Sequence, residues 1–125
     1  MTYKVAAYLR LSKEEYSNEK ESNSITNQKI IIGNYLKEHR EYKLIDYYID
    51  DGYSGTNFDR PEFQRMLEDI KNKKIDVILI KDLSRLGRNY IETGNFVEVV
   101  FPAMGVSVIS VDENYEIDSS DYYSD

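Results

Sequence analysis

The chain opens on a short apolar run, Val5, Ala6, Ala7 and Leu9, which reads as a strand covered on both faces. Tyr8, Arg10 and Ser12 alternate through it with period two and point one way. Leu11 to Asn23 is polar and charge-mixed, the pattern of a mobile loop, and Ser22 to Ser24 offer helix caps. From Ser24 to about Arg40, Ile25, Ile32, Tyr35 and Leu36 recur on one helical face. Gln28 lies inside that stripe, so it either satisfies a buried polar partner or reaches a site at the start of the helix. His39, beside Glu38 and Arg40 at the far end, reads as a solvated residue complementing the helix dipole.

A second strand, Leu44 to Ile49, empties into Asp50, Asp51, Gly52, Tyr53, Ser54 and Gly55, and a loop runs to Phe58. Asp59 as cap, Pro61 in the first turn and Glu62 three residues on predict a helix start; Phe63, Met66, Leu67 and Ile70 then fall at i, i+3, i+4 and i+7. Ile75 to Ile80 is a nearly all-apolar strand that ends at Lys81 to Arg88. A helix is predicted over roughly Asn89 to Ala103, with Ile91, Phe96, Val97, Val100 and Phe101 as its apolar set, and Val106 to Val111 makes a fourth strand. Residues 112–125 are acidic and rich in Tyr and Ser, a loose tail or the start of a further element. The alternation predicts a three-layer α/β/α fold on a mainly parallel sheet of four to five strands.

A chain of 125 residues, 41% hydrophobic, suits one domain. No apolar run approaches the roughly 20 residues that span a bilayer, and no export signal opens the chain, so a cytoplasmic protein without a membrane partner is expected. The absence of cysteine removes disulfides and thiolate zinc sites. The net charge of −7 is unevenly placed: residues 1–88 hold all 16 Lys and Arg against 15 acids, and residues 89–125 hold 8 acids and no base. Duplex affinity rests largely on cations neutralising phosphates, so this stretch is expected to bind DNA poorly by itself.

Ligands of open α/β sheets sit outside the carboxyl ends of the strands. Three polar clusters fall there: Arg10 with Ser12, Asp51 with Ser54, and Ser84 with Arg85 and Arg88. Arginine matches phosphate oxygens in pairs, which makes a phosphate the expected ligand. A serine nucleophile ordinarily needs a base, yet the one histidine lies at the wrong end of its helix. There is no G-x-x-x-x-G-K-[ST] cradle, and arginines crowd the edge where metal-binding carboxylates would have to gather. A serine attacking a phosphodiester held by arginines remains.

Four segments carry a family resemblance: YLRLS in the first strand, Ser24-Ile-Thr-Asn-Gln28, DDGYSGTNFDRPEF from Asp50 to Phe63, and KDLSRLGRN from Lys81 to Asn89. Together they resemble the catalytic domain of the serine recombinases, the resolvase and invertase superfamily, and most of all its large transposon- and phage-encoded members. The resemblance implies that Ser12 attacks the scissile phosphate to form a 5′-phosphoserine link, with Arg10, Arg85 and Arg88 as the phosphate clamp. Tyr8, Gln28, Asp51, Ser54, Arg60 and Ser84 match positions that line or brace the family's site. It further implies no cofactor and no metal, a bacterial or phage-encoded cytoplasmic enzyme, DNA crossover sites as partner, and a homodimer or homotetramer of the full-length protein.

Smaller members carry an aspartate where this chain has Ser84, which leaves Asp51 or an arginine to protonate the leaving 3′ oxygen. Residues 1–111 are expected to form the catalytic domain and 112–125 a tail before a long dimerisation helix and DNA-binding domains. Two alternatives remain: a catalytically silent oligomerisation module, and a receiver-like signalling domain built on Asp50, Asp51 and Lys81.

Overall fold

Tyr3–Leu11 forms strand β1, and its position at the heart of the sheet explains its unbroken apolar run. Strands β2 (Tyr42–Asp51) and β3 (Val77–Ile80) flank it, both parallel to it. β4 (Ser107–Ser110) runs parallel to β3, and β5 (Tyr115–Ile117) closes the far edge antiparallel to β4, giving the order β2-β1-β3-β4-β5. The structure is a computed structural model that describes residues 2–17 and 24–117.

The pleat sends alternate residues of β1 to opposite faces, and a helical layer covers each. On one face Val5, Ala7 and Leu9 pack with Val77, Leu79 and Ile109 against Ile32 of α2 (Ile25–Glu38). On the other, Ala6 and Tyr8 join Ile78, Ile80 and Val108 against α3 (Pro61–Lys71) and a last helical segment. Phe63, Met66 and Ile70 of α3 are buried, each contributing about 2 kcal/mol of apolar burial. The chain winds from β1 outward to β2, then crosses back past β1 to β3. The carboxyl ends of β1 and β3 therefore bound the crevice where the winding reverses, the position at which such sheets bind ligands.

Several boundaries differ from the expectations, each for a local reason. The segment after β1 is not all loop: Lys13–Ser17 forms a short helix, α1, which the spacing Ser12-Lys13-Glu14-Glu15, a capping-box pattern, already contained. Of the serines proposed as caps for α2, Ser24 does the work by accepting from the Asn27 amide at 3.0 Å, and Ser22 lies outside the described residues. β2 extends two residues beyond each predicted end because it pairs along the whole of β1, with a register shift between Val5 and Ala6 that leaves Ile45 out of the ladder.

Asp59 does not cap α3. The N-cap is Arg60, which offers no side-chain cap bond, and the free amides of Glu62 and Phe63 are taken by Asp50 from the end of β2, each at 3.0 Å. β3 begins at Val77, with Ile75 buried but outside the ladder.

The helix expected over 89–103 is a composite. After α4 (Leu83–Leu86), α5 spans Tyr90–Asn95, a π-helical segment spans Phe96–Val100, and α6 spans Phe101–Ala103. The wide turns precede Pro102, whose ring lacks an amide and crowds the preceding turn. Val97 and Phe101 face the core as expected, whereas Ile91 is 81% exposed. Beyond β4, residues 111–114 turn back to place β5 on the sheet, so this part of the acidic stretch is ordered. Among the described residues no helix is long and apolar enough to cross a membrane.

Candidate active site

β1 delivers Arg10 and Ser12 to the crevice from below. Arg10 is fully buried and held by backbone carbonyls from two other segments: Nε donates to Arg85 O and Nη1 to Tyr53 O at 3.1 Å, and Nη2 donates to Ser84 O at 2.5 Å. Burial, followed by the nearby charges of Arg85 and Arg60, lowers its pKa to about 10. The guanidinium is thus rigid, with its charge weakly compensated, a preorganised donor for an incoming anion.

α4 supplies the second cation. Arg85 Nη1 donates to the carbonyl of Arg10 at 2.6 Å, tying the end of β3 to the end of β1. Gln28 reaches the same carbonyl from α2, with Nε2 donating at 3.0 Å. Of the two readings open for Gln28, it both satisfies a buried partner and stands beneath the site. Arg88 is anchored through its amide to Gly55 O at 2.7 Å, and its side chain is 47% exposed at the mouth of the crevice.

These cations converge on a carboxylate that the sequence reading did not single out. Glu15 Oε1 accepts from the Ser12 hydroxyl at 2.9 Å and from the Ser12 amide at 3.0 Å. Oε2 accepts from Arg85 Nη2 at 2.9 Å, while Arg88 Nη2 lies 3.8 Å from Oε2 and Arg10 Nη1 3.9 Å from Oε1. Burial alone would raise the Glu15 carboxyl; the bonds from Arg85 and from the Ser12 amide and hydroxyl overcome it and lower its pKa to about 2. The signal was in the sequence as the fourth position of the capping box, three residues after Ser12.

Ser84 lies against the clamp. Its hydroxyl donates to Asp82 and accepts from Arg85 Nη2 at 3.1 Å, and its carbonyl receives Arg10. Asp82 also faces Arg85 Nε at 3.4 Å. Burial works against its charge, but Ser84, Arg85 and Lys81 together hold its pKa below the ordinary value. A carboxylate absent at position 84 is therefore present two residues earlier.

Tyr8 and Arg60 sit deeper. The Tyr8 hydroxyl donates to Asp50 at 2.7 Å and accepts from Arg60 Nη1 at 2.9 Å; burial first, then Asp50, raises its pKa. Arg60 also donates to Asn57 O at 2.9 Å, Arg85 O at 3.3 Å and Leu86 O at 2.6 Å, and lies over the rings of Phe58 and Phe63. It ties the loop before α3 to the turn that carries Arg85.

Two expected residues lie apart. Asp51 is exposed, paired in register with Leu11. The Ser54 hydroxyl is engaged with Thr56, at 2.9 Å to its hydroxyl and 3.1 Å to its amide, so the loop reaches the crevice through the carbonyls of Tyr53 and Gly55. The receiver-like alternative loses its groups: Asp50 is buried as the amide acceptor of α3, and Lys81 is tied to Asp112 at 2.7 Å and Asp82 at 3.2 Å.

Comparison with known proteins bears on this arrangement. The family model described as "Resolvase, N terminal domain" matches residues 5–124. The N-terminal catalytic domain of TP901-1 integrase is 33% identical with a TM-score of 0.79, over 90% of this chain and 80% of that one. A resolvase family site-specific recombinase from Streptococcus pneumoniae is 31% identical with a TM-score of 0.75, over 95% and 77%. The C-terminal catalytic domain of ISC1926 TnpA, an IS607-like serine recombinase, is 25% identical with a TM-score of 0.68, over 86% and 67%. No curated protein matches significantly. With the family match spanning nearly all of its length, the chain belongs to the resolvase N-terminal domain family, the catalytic domains of serine site-specific recombinases.

Proposed function

We propose that this domain cleaves and rejoins DNA at specific crossover sites through Ser12. The Ser12 oxygen attacks the scissile phosphorus and loses its proton to water, the bond to the 3′ oxygen breaks, and that oxygen takes up a proton, leaving a 5′-phosphoserine link and a free 3′-hydroxyl. Attack by the 3′-hydroxyl of an exchanged strand reverses the step. Arg10, Arg85 and Arg88 hold the phosphate and stabilise the charge of the transition state, where one preorganised donor is typically worth about 3 to 4 kcal/mol.

The observation that carries this reading is the anion seat beside the Ser12 hydroxyl, in which guanidinium groups from β1, α4 and the turn after it share one carboxylate. With a net charge of −7 this domain is a weak electrostatic match for duplex DNA, so recognition of the crossover site is expected to draw on other segments of a cytoplasmic, bacterial or phage-encoded enzyme that assembles as a dimer or tetramer. The test mixes the full-length protein in EDTA with a nicked duplex bearing its crossover site and maps the denaturant-stable adduct by mass spectrometry. The nucleotide is expected on Ser12. An adduct elsewhere, one that needs added metal, or no adduct on a bound site overturns the reading.

Gly55 gives a second check. A Cβ there would lie 2.7 Å from Arg10 Nη2 and 2.9 Å from Arg88 Cγ, and Arg10 has little freedom to retreat. Gly55→Ala is expected to slow adduct formation by at least about tenfold, because displacements of this size disturb the reacting geometry. An unchanged rate would mean that the clamp tolerates the shift.

A further inference from the structure

Resting on the assignment of Ser12 and its arginines as the cleavage site, we infer that Glu15 is an internal stand-in for the scissile phosphate, so that the resting site is self-occupied and opens only when this carboxylate is displaced. Its two oxygens take the positions an anion would need: one on the Ser12 hydroxyl and amide, the other on Arg85 Nη2, with Arg88 and Arg10 approaching at 3.8 and 3.9 Å. A phosphate gripped by the same three guanidiniums beside the same hydroxyl cannot share that space. Two anions at such separation also repel strongly in a partly buried site.

A plain capping box accounts for the bond from the Ser12 amide to the Glu15 carboxylate but not for the bond from the hydroxyl. In that motif the serine hydroxyl accepts from the amide three residues on. Here the Glu15 amide bonds the Ser12 carbonyl at 3.1 Å, and the hydroxyl instead donates to the Glu15 carboxylate. The nucleophile is thereby held toward a negative group and away from an electrophile. Glu15 rides on α1, a five-residue helix, and helices this short have little stability of their own. The carboxylate can leave with a local rearrangement while β1, α2 and α4 keep the arginines in place. A low pKa fits a carboxylate bound as a ligand.

The test uses inorganic phosphate as the probe, titrated calorimetrically into this chain, Glu15→Gln and Glu15→Ala, with cooperative melting as the check on folding. The isosteric neutral variant is expected to bind phosphate roughly ten- to a hundredfold more tightly than the unmodified chain, as removal of a charge-assisted competitor predicts. Adding Arg88→Ala to Glu15→Gln is expected to reverse part of the gain. Folded variants that bind phosphate no better than the parent overturn the inference, as does a gain that ignores Arg88.

A second measurement needs no variant. Near-saturating phosphate is expected to shift the NMR amide resonance of Ser12, whose acceptor is Glu15, together with the Arg85 side-chain signals; arginine shifts without a Ser12 shift overturn it. Adduct mapping on the unmodified full-length protein decides the Ser12 assignment independently. An adduct at Ser12 with no phosphate gain in Glu15→Gln would sink the stand-in alone.

Discussion

Ser12→Ala is expected to abolish the covalent protein–DNA adduct, a fall of at least about 10⁴-fold, while leaving the fold almost unchanged. With Ser12 as the proposed nucleophile, its loss removes the step that the arginines are proposed to serve. In the parent, the Ser12 hydroxyl donates to Glu15 at 2.9 Å. Glu15 retains the Ser12 amide at 3.0 Å and Arg85 at 2.9 Å in the variant, so a stability change within about 2 kcal/mol is expected. A denaturing gel on a nicked crossover site and a thermal melt measure the two quantities. Persistence of the adduct in the alanine variant would move the nucleophile elsewhere.

Arg60→Met is expected to do the reverse, costing stability first and activity as a consequence. Methionine fills much of the same space but leaves the Asn57 and Leu86 carbonyls and the Tyr8 hydroxyl without this donor, and the Arg85 carbonyl with Arg10 only. Arg60 is 1% and Asp50 also 1% exposed, and the Tyr8 hydroxyl bridges them; Asp50 keeps Tyr8 and the Glu62 and Phe63 amides but loses the cation on the far side of that hydroxyl. Leaving a buried acceptor without its donor costs about 1 to 3 kcal/mol, so the loss of several such bonds is expected to total at least about 3 kcal/mol. For a domain of this size that corresponds to a fall in melting temperature of roughly 10 °C or more. The Arg85 and Leu86 carbonyls hold the turn that carries the clamp, so adduct formation should weaken even below the melt. A melting temperature within about 3 °C of the parent would show that the network relaxes without loss.

The architecture was legible because it rests on periodicities. The apolar run of Val5 to Leu9 and the all-apolar Val77 to Ile80 are the central strands, and Phe63, Met66 and Ile70 lie on the buried face of α3 as their spacing required. Arg10, Ser12, Arg85 and Arg88 were legible as a group because each lies at or just after the carboxyl end of a strand, and a parallel sheet ends its strands on one side. Ends of elements were less so. Asp59 had the right spacing for a cap, but Asp50, which is distant from α3 in sequence, takes the amides. Ile91 fits the helical stripe, but the fold leaves it exposed.

By itself, the sequence determined the α/β order, the central strands and the membership of the arginine and serine set, because hydrophobic period and strand polarity are local properties that carry through to the fold. Tertiary structure alone decided which charges meet: that Arg10 is buried under the carbonyls of Tyr53, Ser84 and Arg85, that Ser54 turns to Thr56, and that Glu15 rather than Asp51 stands among the guanidiniums. Side-chain pairing depends on distances of a few ångströms between segments up to 75 residues apart, and no one-dimensional spacing encodes them.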